Sequence, residues 1–383
     1  MKSVHLVLAA AVGMACAATA HADIKVGVVL SQTGPAASLG IPEKKTVELY
    51  PKEIGGQKID YVFMDDGSDP TAAVKATKKL VDDDKVDVVI GSSITPNSMA
   101  MLDVVGGAKT PNISLAAGRP IVFPVEGNRV WVFNTPQTTG LMARAIVKNL
   151  LQDKVESVAF IGFNDAYGED WWKNFSEDAK AHGIKVVASE RYNRTATSVT
   201  GQILHILGAH PQAVLIAASG TPAALPEREL KKVGYKGQIY QTHGVANPDF
   251  LRVCGADCNG TILPVSPGVV AEQLPASAPN KAPAMAYAKA YTAAYGKNSL
   301  SQFSANAWDA GVLLEHAIPV ALQHAKPGDT AGFRAALRDA LEGLKNIPGA
   351  DGIYSMSKTD HNGLDDRAVA MVRIENGTWK LLK

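Results

Sequence analysis

"IKVGVVLSQTGPAASLG", residues 24–40, decides how this chain folds. From Ile24 to Leu30 the run is apolar on both faces, broken only by Lys25. A strand with one face in water alternates apolar and polar residues; a continuous Val/Ile/Leu run fits a strand of a parallel sheet covered on both sides. The loop that follows is made of small and hydroxyl-bearing residues, and "EKKTVELYPKEI" (43–54) reads as a helix. Strand, loop and helix make the first half of a βα unit.

The unit recurs. "KIDYVFMDDGSDP" (58–70) reads as a strand. "TAAVKATKKLVDDD" (71–84) is an amphipathic helix with Ala73, Ala76, Leu80 and Val81 near one face. "VDVVIGSS" (86–93), "NSMAMLDVVGGA" (97–108) and "NISLAAG" (112–118) continue as strand, helix, strand. After "VWVFNT" (130–135) a second series begins. It has strands at 157–165, 185–192, 213–219 and 238–244, with helices at 142–151, 168–183, 200–210 and 222–234. Two such series predict an α/β chain of two doubly wound lobes. In such folds ligands sit beyond the carboxyl ends of the strands.

Composition agrees with a two-lobed globular protein. The chain has 383 residues, 46% hydrophobic and 20% charged, more than one core usually holds. Residues 1–22, "MKSVHLVLAAAVGMACAATAHA", read as a secretory signal peptide: Lys2, an apolar run from Val4 to Ala15, and small residues ending at Ala20-His21-Ala22. Asp23 is then the expected first mature residue. Cys16 raises a lipoprotein alternative, but Gly13-Met14-Ala15 lacks the usual Leu. With Lys2 removed, basic and acidic residues balance, which argues against nucleic acid and charged membrane surfaces as partners. Cys254 and Cys258, in "CGADC", are expected to pair as a disulfide in an oxidising compartment. The alternative, a Cys-x3-Cys metal site, has no second Cys or His pair to complete it.

The residues after each strand carry the candidate site. "SSITPNSM" follows the third strand, with Thr95 read as a helix cap and Pro96 as first helical residue. Its free N–H groups, with the Ser92, Ser93 and Thr95 hydroxyls, suit an anion; ordinary capping is the alternative. "AAGRP" (116–120) brings Gly118, where backbone can come close, and Arg119. "NDAYGED" (164–170) brings Tyr167. "QIYQTHGVANPDF" (238–250) ends its strand at His243, which could pack a core, bind a metal, catalyse or face a ligand.

Taken in order, the opening stretch, "DDGSDPTAAVKATKKLV", "VVIGSS", "NISLAA", "NDAYGED" and "THGVANPDFL" resemble the type I periplasmic solute-binding proteins of ABC importers, the branched-chain amino acid group. The resemblance spans essentially the whole mature chain. It implies two Rossmann-like lobes joined by a three-segment hinge, with crossings near 134–136, 264–266 and 353–356. One lobe would comprise 23–134 with 266–353, the other 135–265 with 354–383. The ligand would sit in the cleft between them.

Amino-acid binders of that family carry a Glu just before "GVAN" to hold the ligand ammonium; here the place is His243. A family Thr that helps hold the amino and carboxylate groups aligns with Gly118. The resemblance therefore implies a cleft for a carboxylate without an α-amino group, as in the subgroup that binds benzoate, hydroxybenzoate or cinnamate types. On this reading Ser92, Ser93, Thr95 and the backbone of Ala116, Ala117 and Gly118, aided by Arg119, hold the carboxylate. Leu39 and Tyr167 form walls, and His243 meets the far end. Thr221 and Phe303 complete the set. The alternatives are core packing for Phe303 and His243 and a solvated charge for Arg119.

No metal, cofactor or catalytic residue is expected. The other histidine pairs, His205/His210 and His316/His324, lack the spacing that aims two ligands at one metal. "SKTDHNGLDDR" (357–367) falls short of a calcium loop and reads as a surface turn. Trp171 and Trp172 are expected to lie partly on the surface. The expected role is that of a monomeric periplasmic protein, not an enzyme, delivering a small organic acid to ABC permease subunits. The alternatives are branched-chain amino acid binding, an exported hydrolase, and ligand sensing for a receptor.

Overall fold

The computed structural model describes residues 23–382. The signal peptide reading, Cys16 included, falls outside the described residues. Thirteen of the strands form two sheets. The first holds β1 (Ile24–Leu30), β2 (Glu53–Ile54), β3 (Gln57–Asp65), β4 (Val88–Gly91), β5 (Asn112–Ser114) and β6 (Val132–Asn134) in the order β2-β3-β1-β4-β5-β6. The second holds β7 (Ser157–Phe163), β8 (Lys185–Tyr192), β9 (Ala213–Ala217), β10 (Gln238–Gln241) and β11 (Ile262–Val265). A ribbon, β12 (Ile347–Pro348) with β13 (Ile353–Tyr354), precedes β14 (Ala370–Glu375) and β15 (Thr378–Leu381), which extend the second sheet to β15-β14-β11-β10-β9-β7-β8. Pairing in these two sheets is parallel except at β2–β3 and β14–β15, which short turns join, and at β11–β14, where the chain returns antiparallel from a distant segment.

Among the described residues eleven α-helices cover the sheets: α1 (Ala37–Val47), α2 (Pro70–Lys78), α3 (Thr95–Gly107), α4 (Thr139–Gln152), α5 (Ala166–Ala181), α6 (Thr200–Gly208), α7 (Ala224–Lys232), α8 (Pro248–Cys254), α9 (Lys281–Tyr295), α10 (Gln302–Ala321) and α11 (Thr330–Gly343). The opening stretch shows why both faces need cover. Val26, Val28 and Leu30 pack with Leu314, Phe333 and Leu337 of α10 and α11. Val29, on the opposite face, packs with Ala73, Leu80, Met101 and Val105 beside α2 and α3. Each of these side chains is fully buried, a contribution of about 1.5–3 kcal/mol apiece for the larger ones.

Four local readings are corrected. The first helix begins at Ala37, well before Glu43, because the Gly-Pro-Ala-Ala composition conceals a helix start. Gly40 explains how that start fits: a Cβ there would strike the backbone of Ser31, so only glycine lets α1 lie directly on the end of β1. Trp171 is wholly buried, while Trp172 stays partly exposed against the same core. Residues 357–367 are not simply a surface turn. His361 stacks on Phe133 (4.1 Å) and bonds Val132 O through Nδ1 (2.9 Å), and Asn362 Nδ2 donates to Asn134 Oδ1 (3.0 Å) and Pro136 O (2.8 Å).

Finally, Cys254 and Cys258 are free, buried thiols and form no disulfide. The segment is a helix end running into a tight turn at Gly255–Cys258. Its sulfurs are satisfied by hydrogen bonds, Cys258 Sγ donating to Gly255 O (3.3 Å), without a covalent closure. The neighbouring Cys258 thiol and burial push the Cys254 thiol up.

Where the chain crosses between the sheets, buried polar groups accumulate. Tyr354 OH lies within hydrogen-bond distance of both Thr135 O (2.9 Å) and Asp309 Oδ2 (2.8 Å). Gln302 Nε2 donates to Gln137 Oε1 (2.9 Å), and Ser266 N to Gln302 Oε1 (2.8 Å). Asp309 also accepts from the backbone N–H groups of Ala350 (2.6 Å) and Asp351 (2.8 Å). Burial pushes the Asp309 carboxyl up to about 7. Burial first, then the Asp309 charge, holds Asp351 well above the usual carboxylate range. A carboxyl raised on folding adds stability that is complete below its unfolded value and is lost as pH rises through the folded one. Unfolding free energy is therefore expected to decline between pH 5 and 8. Asp351→Asn should flatten that decline in urea titrations at several pH values; an unchanged slope would show that the pair does not titrate there.

Candidate functional site

The carboxyl ends of both sheets face a closed cleft. Its walls are Leu39, Ser93, Ile94, Thr95, Leu115, Ala116 and Ala117 from the first sheet's side. Tyr167, Arg194, Ser219, His243 and Gly244 come from the second, with Phe303 and Asn306 from α10. The cavity left between these walls is about 20 Å³, room for about one water molecule. The walls nearly meet: a Cβ on Gly220 would lie 2.8 Å from Leu39 Cδ1 across the cleft.

One end of the cavity is built on α3. The preceding Ile94 offers no side-chain cap, Thr95 is already helical and Pro96 has no N–H. Thr95 is thus the first residue of the helix, not its cap. The N–H groups of Thr95 and Asn97 have no partner within the helix, and the positive end of the helix dipole faces the same way. Thr95 Oγ1 is buried and makes no hydrogen bond. Gly118 fixes this hydroxyl: a Cβ at 118 would crowd Thr95 Cγ2 and approach Oγ1 to 2.9 Å. Ser93 is used differently. Its hydroxyl accepts from Ser31 N (3.0 Å) and donates to Glu43 Oε2, so it anchors the loop from behind. Burial, against the opposing Ser93 hydrogen bond, pushes the Glu43 carboxyl well above its usual range.

The other end is built on β8, β9 and β10. Thr242, the last residue before His243, accepts from Gly244 N (3.1 Å) and donates to Ala218 O (2.7 Å), and Tyr167 OH bonds Thr242 Oγ1 (2.9 Å). These bonds hold the turn that presents His243, with Trp171 behind it at 5.9 Å between ring centres. His243 is 2% exposed, and its Nδ1 has no partner. Burial pushes its pKa down to about 3, so the ring is neutral at physiological pH. Leu39, Ile94, Phe303 and Ala36 form a small apolar cluster, the first three lining the cavity. Among the described residues no Asp or Glu lines the cavity, and the one charged side chain that does is Arg194.

Eight of the residues singled out in the sequence therefore converge: Leu39, Ser93, Thr95, Ala116, Ala117, Tyr167, His243 and Phe303. Four do not line the space. Ser92 is buried behind it, donating to Asp66 Oδ2 (2.5 Å). Gly118 packs on Thr95 from outside. Arg119 donates its backbone N–H to Asp170 Oδ2 (2.8 Å) and lays its guanidinium over Phe123 (5.1 Å), away from the cleft. Thr221 opens the turn Thr221–Ala223, and its neighbour Ser219 takes the lining position. The sequence reading missed Arg194, Ser219 and Asn306, and with them Ile94, Leu115 and Gly244, each next in the chain to a residue it named. The first two follow β8 and β9, where the strand-end rule points; Asn306 lies one helical turn beyond Phe303.

The family profile described as periplasmic binding protein matches residues 23–378. The chain belongs to that family. Among solved structures, an extracellular ligand-binding receptor from Rhodopseudomonas palustris HaA2 is 42% identical, with a TM-score of 0.91 over 94% of this chain and 100% of that one. The Leu/Ile/Val-binding protein homolog 3 of Brucella melitensis is 26% identical over 67% of this chain and 70% of its own. A solute-binding protein of an R. palustris ABC transporter, solved in complex with benzoate, shares the fold at 23% identity, with a TM-score of 0.81 over 94% of this chain and 95% of that one. These relatives are named for binding rather than for a reaction. In this binding protein the two lobes and the cleft between them are the family's architecture.

The buried, neutral imidazole gives a direct check. In long-range proton–nitrogen spectra the His243 ring shifts should stay constant from pH 5 to 8, and a titration near 6.5 would contradict its burial.

Proposed function

We propose that this periplasmic binding protein carries a small carboxylate lacking an α-amino group, an aromatic acid of the benzoate, hydroxybenzoate or cinnamate type, to the permease subunits of an ABC importer. The absence of any carboxylate from the cavity wall carries the reading. A buried ammonium needs an anionic partner, and leaving it unpaired costs several kcal/mol. Of the acids bonded to lining residues, Glu43 lies behind Ser93 and is pushed toward its neutral form, and Asp165 is paired with Arg194. His243 is neutral as well and can offer a ligand a hydrogen bond but no charge.

A carboxylate has what it needs. The unpartnered Thr95 hydroxyl and the first N–H groups of α3 suit an anion, Ala116 N–H being already donated to Ser114 Oγ (3.2 Å), and the Leu39, Ile94 and Phe303 cluster suits an apolar ring. A distant neighbour of the same fold, the R. palustris solute-binding protein, was solved with benzoate, which supports the reading. The two lobes, 23–134 with 266–353 and 135–265 with 354–383, close on the ligand, and the closed form is what the permease recognises. Presentation of the same ligand to a receptor would use the same cleft.

A branched-chain amino acid is the second reading, favoured by the names of the curated relatives. A thermal-shift screen separates the two. Ligand at 100 times its dissociation constant should add about 2.7 kcal/mol of stability. Benzoate, 4-hydroxybenzoate or coumarate should raise the melting temperature while leucine and valine do not; stabilisation by leucine alone would overturn the reading. His243→Glu, measured by calorimetry, should weaken aromatic-acid binding by about 1–3 kcal/mol through a misplaced buried charge. An unchanged affinity would place His243 outside the site.

A further inference from the structure

Arg194 lies just past β8, and its side chain is 12% exposed. Two interactions fix it from behind. Its Nε donates to Asp165 Oδ2 (2.5 Å), and its guanidinium lies 4.2 Å above the Phe163 ring. Asp165 is itself immobile, because its other oxygen caps α5 through Tyr167 N (2.9 Å) and Gly168 N (3.2 Å). A third bond, Nη1 to Ser219 Oγ (3.0 Å), ties the fork to another lining residue. A guanidinium carries five N–H donors in a rigid plane. Two are used, and the other three, both on Nη2 among them, have no protein partner among the described residues. They belong to a side chain that lines the cavity, as does His243 with its unpartnered Nδ1.

The cavity therefore has two polar ends. Thr95 and the start of α3 serve one, on the first sheet's side; Arg194, Ser219 and His243 serve the other, on the second's; Leu39, Ile94 and Phe303 line the space beside them. We propose that Arg194 determines specificity by reading a hydrogen-bond acceptor opposite the carboxylate, so that the ligand class is para-hydroxylated aromatic acids rather than unsubstituted ones. This rests on the aromatic-acid reading above and adds the second polar group. A ligand without that group leaves buried N–H donors unpaired, and sites built around such donors reject the analogue lacking the acceptor.

The test is titration calorimetry on the mature protein with 4-hydroxybenzoate and 4-methylbenzoate, which differ by a hydroxyl in place of a methyl of similar size. The wild type should bind the hydroxylated acid at least about ten-fold more tightly. In Arg194→Met the ratio should fall to within about three-fold, the loss falling on the hydroxylated ligand. Arg194→Lys keeps a charge for Asp165 but not the fork, and should lose part of the ratio. The wild-type ratio stands even if a variant fails to fold. A wild-type ratio near one overturns this proposal alone, since both acids would still bind. Equal losses for both ligands in Arg194→Met overturn it too, because Arg194 would then hold the carboxylate or the fold. Binding of leucine with neither aromatic acid would remove the aromatic-acid reading and this proposal together.

Discussion

The cavity between the lobes contains no negative charge, and the behaviour of the site follows from that constraint. A protonated amine carried out of water needs a carboxylate at contact distance. Here the group that ends β10 is an imidazole held neutral by burial, with an unmade hydrogen bond at Nδ1. The buried acids near the cleft, Glu43 and Asp66, face away from it into serine hydroxyls. They organise the loops without offering charge to a ligand.

The scaffold explains how such a wall can be held. Parallel sheets buried on both faces put their strand ends, and the loops after them, at one edge of each lobe. The loops are fixed by bonds that recur at each strand end: Ser31 to Asp66 after β1, Ser93 to Glu43 after β4, Thr242 to Ala218 after β10. Asn306 joins this wall to the hinge. It lines the cavity, and its amide lies 2.8 Å from Asp351 Oδ2, a span that an amide N–H or a protonated carboxyl can bridge. The polar cluster at the crossings is thus in direct contact with the ligand space.

Much of this was legible in the sequence because it rests on local pattern. Continuous apolar runs gave the strands, and Ala73, Ala76, Leu80 and Val81 gave a buried helix face that the structure confirms. The strand-end rule found Thr95, Tyr167 and His243. What stayed hidden depends on partners distant in the chain. Arg194 is tied to Asp165 and Ser219, His361 stacks on Phe133, and Trp171 lies behind His243. The cysteine pair misled because spacing cannot distinguish a loop needing covalent closure from a helix end already closed by hydrogen bonds.

The most direct measurement compares an amino acid with its own deaminated form in the same cleft. Calorimetry would pair phenylalanine with 3-phenylpropanoate, and leucine with 4-methylpentanoate, so that shape is kept and only the ammonium changes. A wall without a counter-charge predicts that the simple acid of whichever pair fits binds at least about ten-fold more tightly than its amino acid. Tighter binding of the amino acid would mean that an anion does reach the ligand, and would contradict the account.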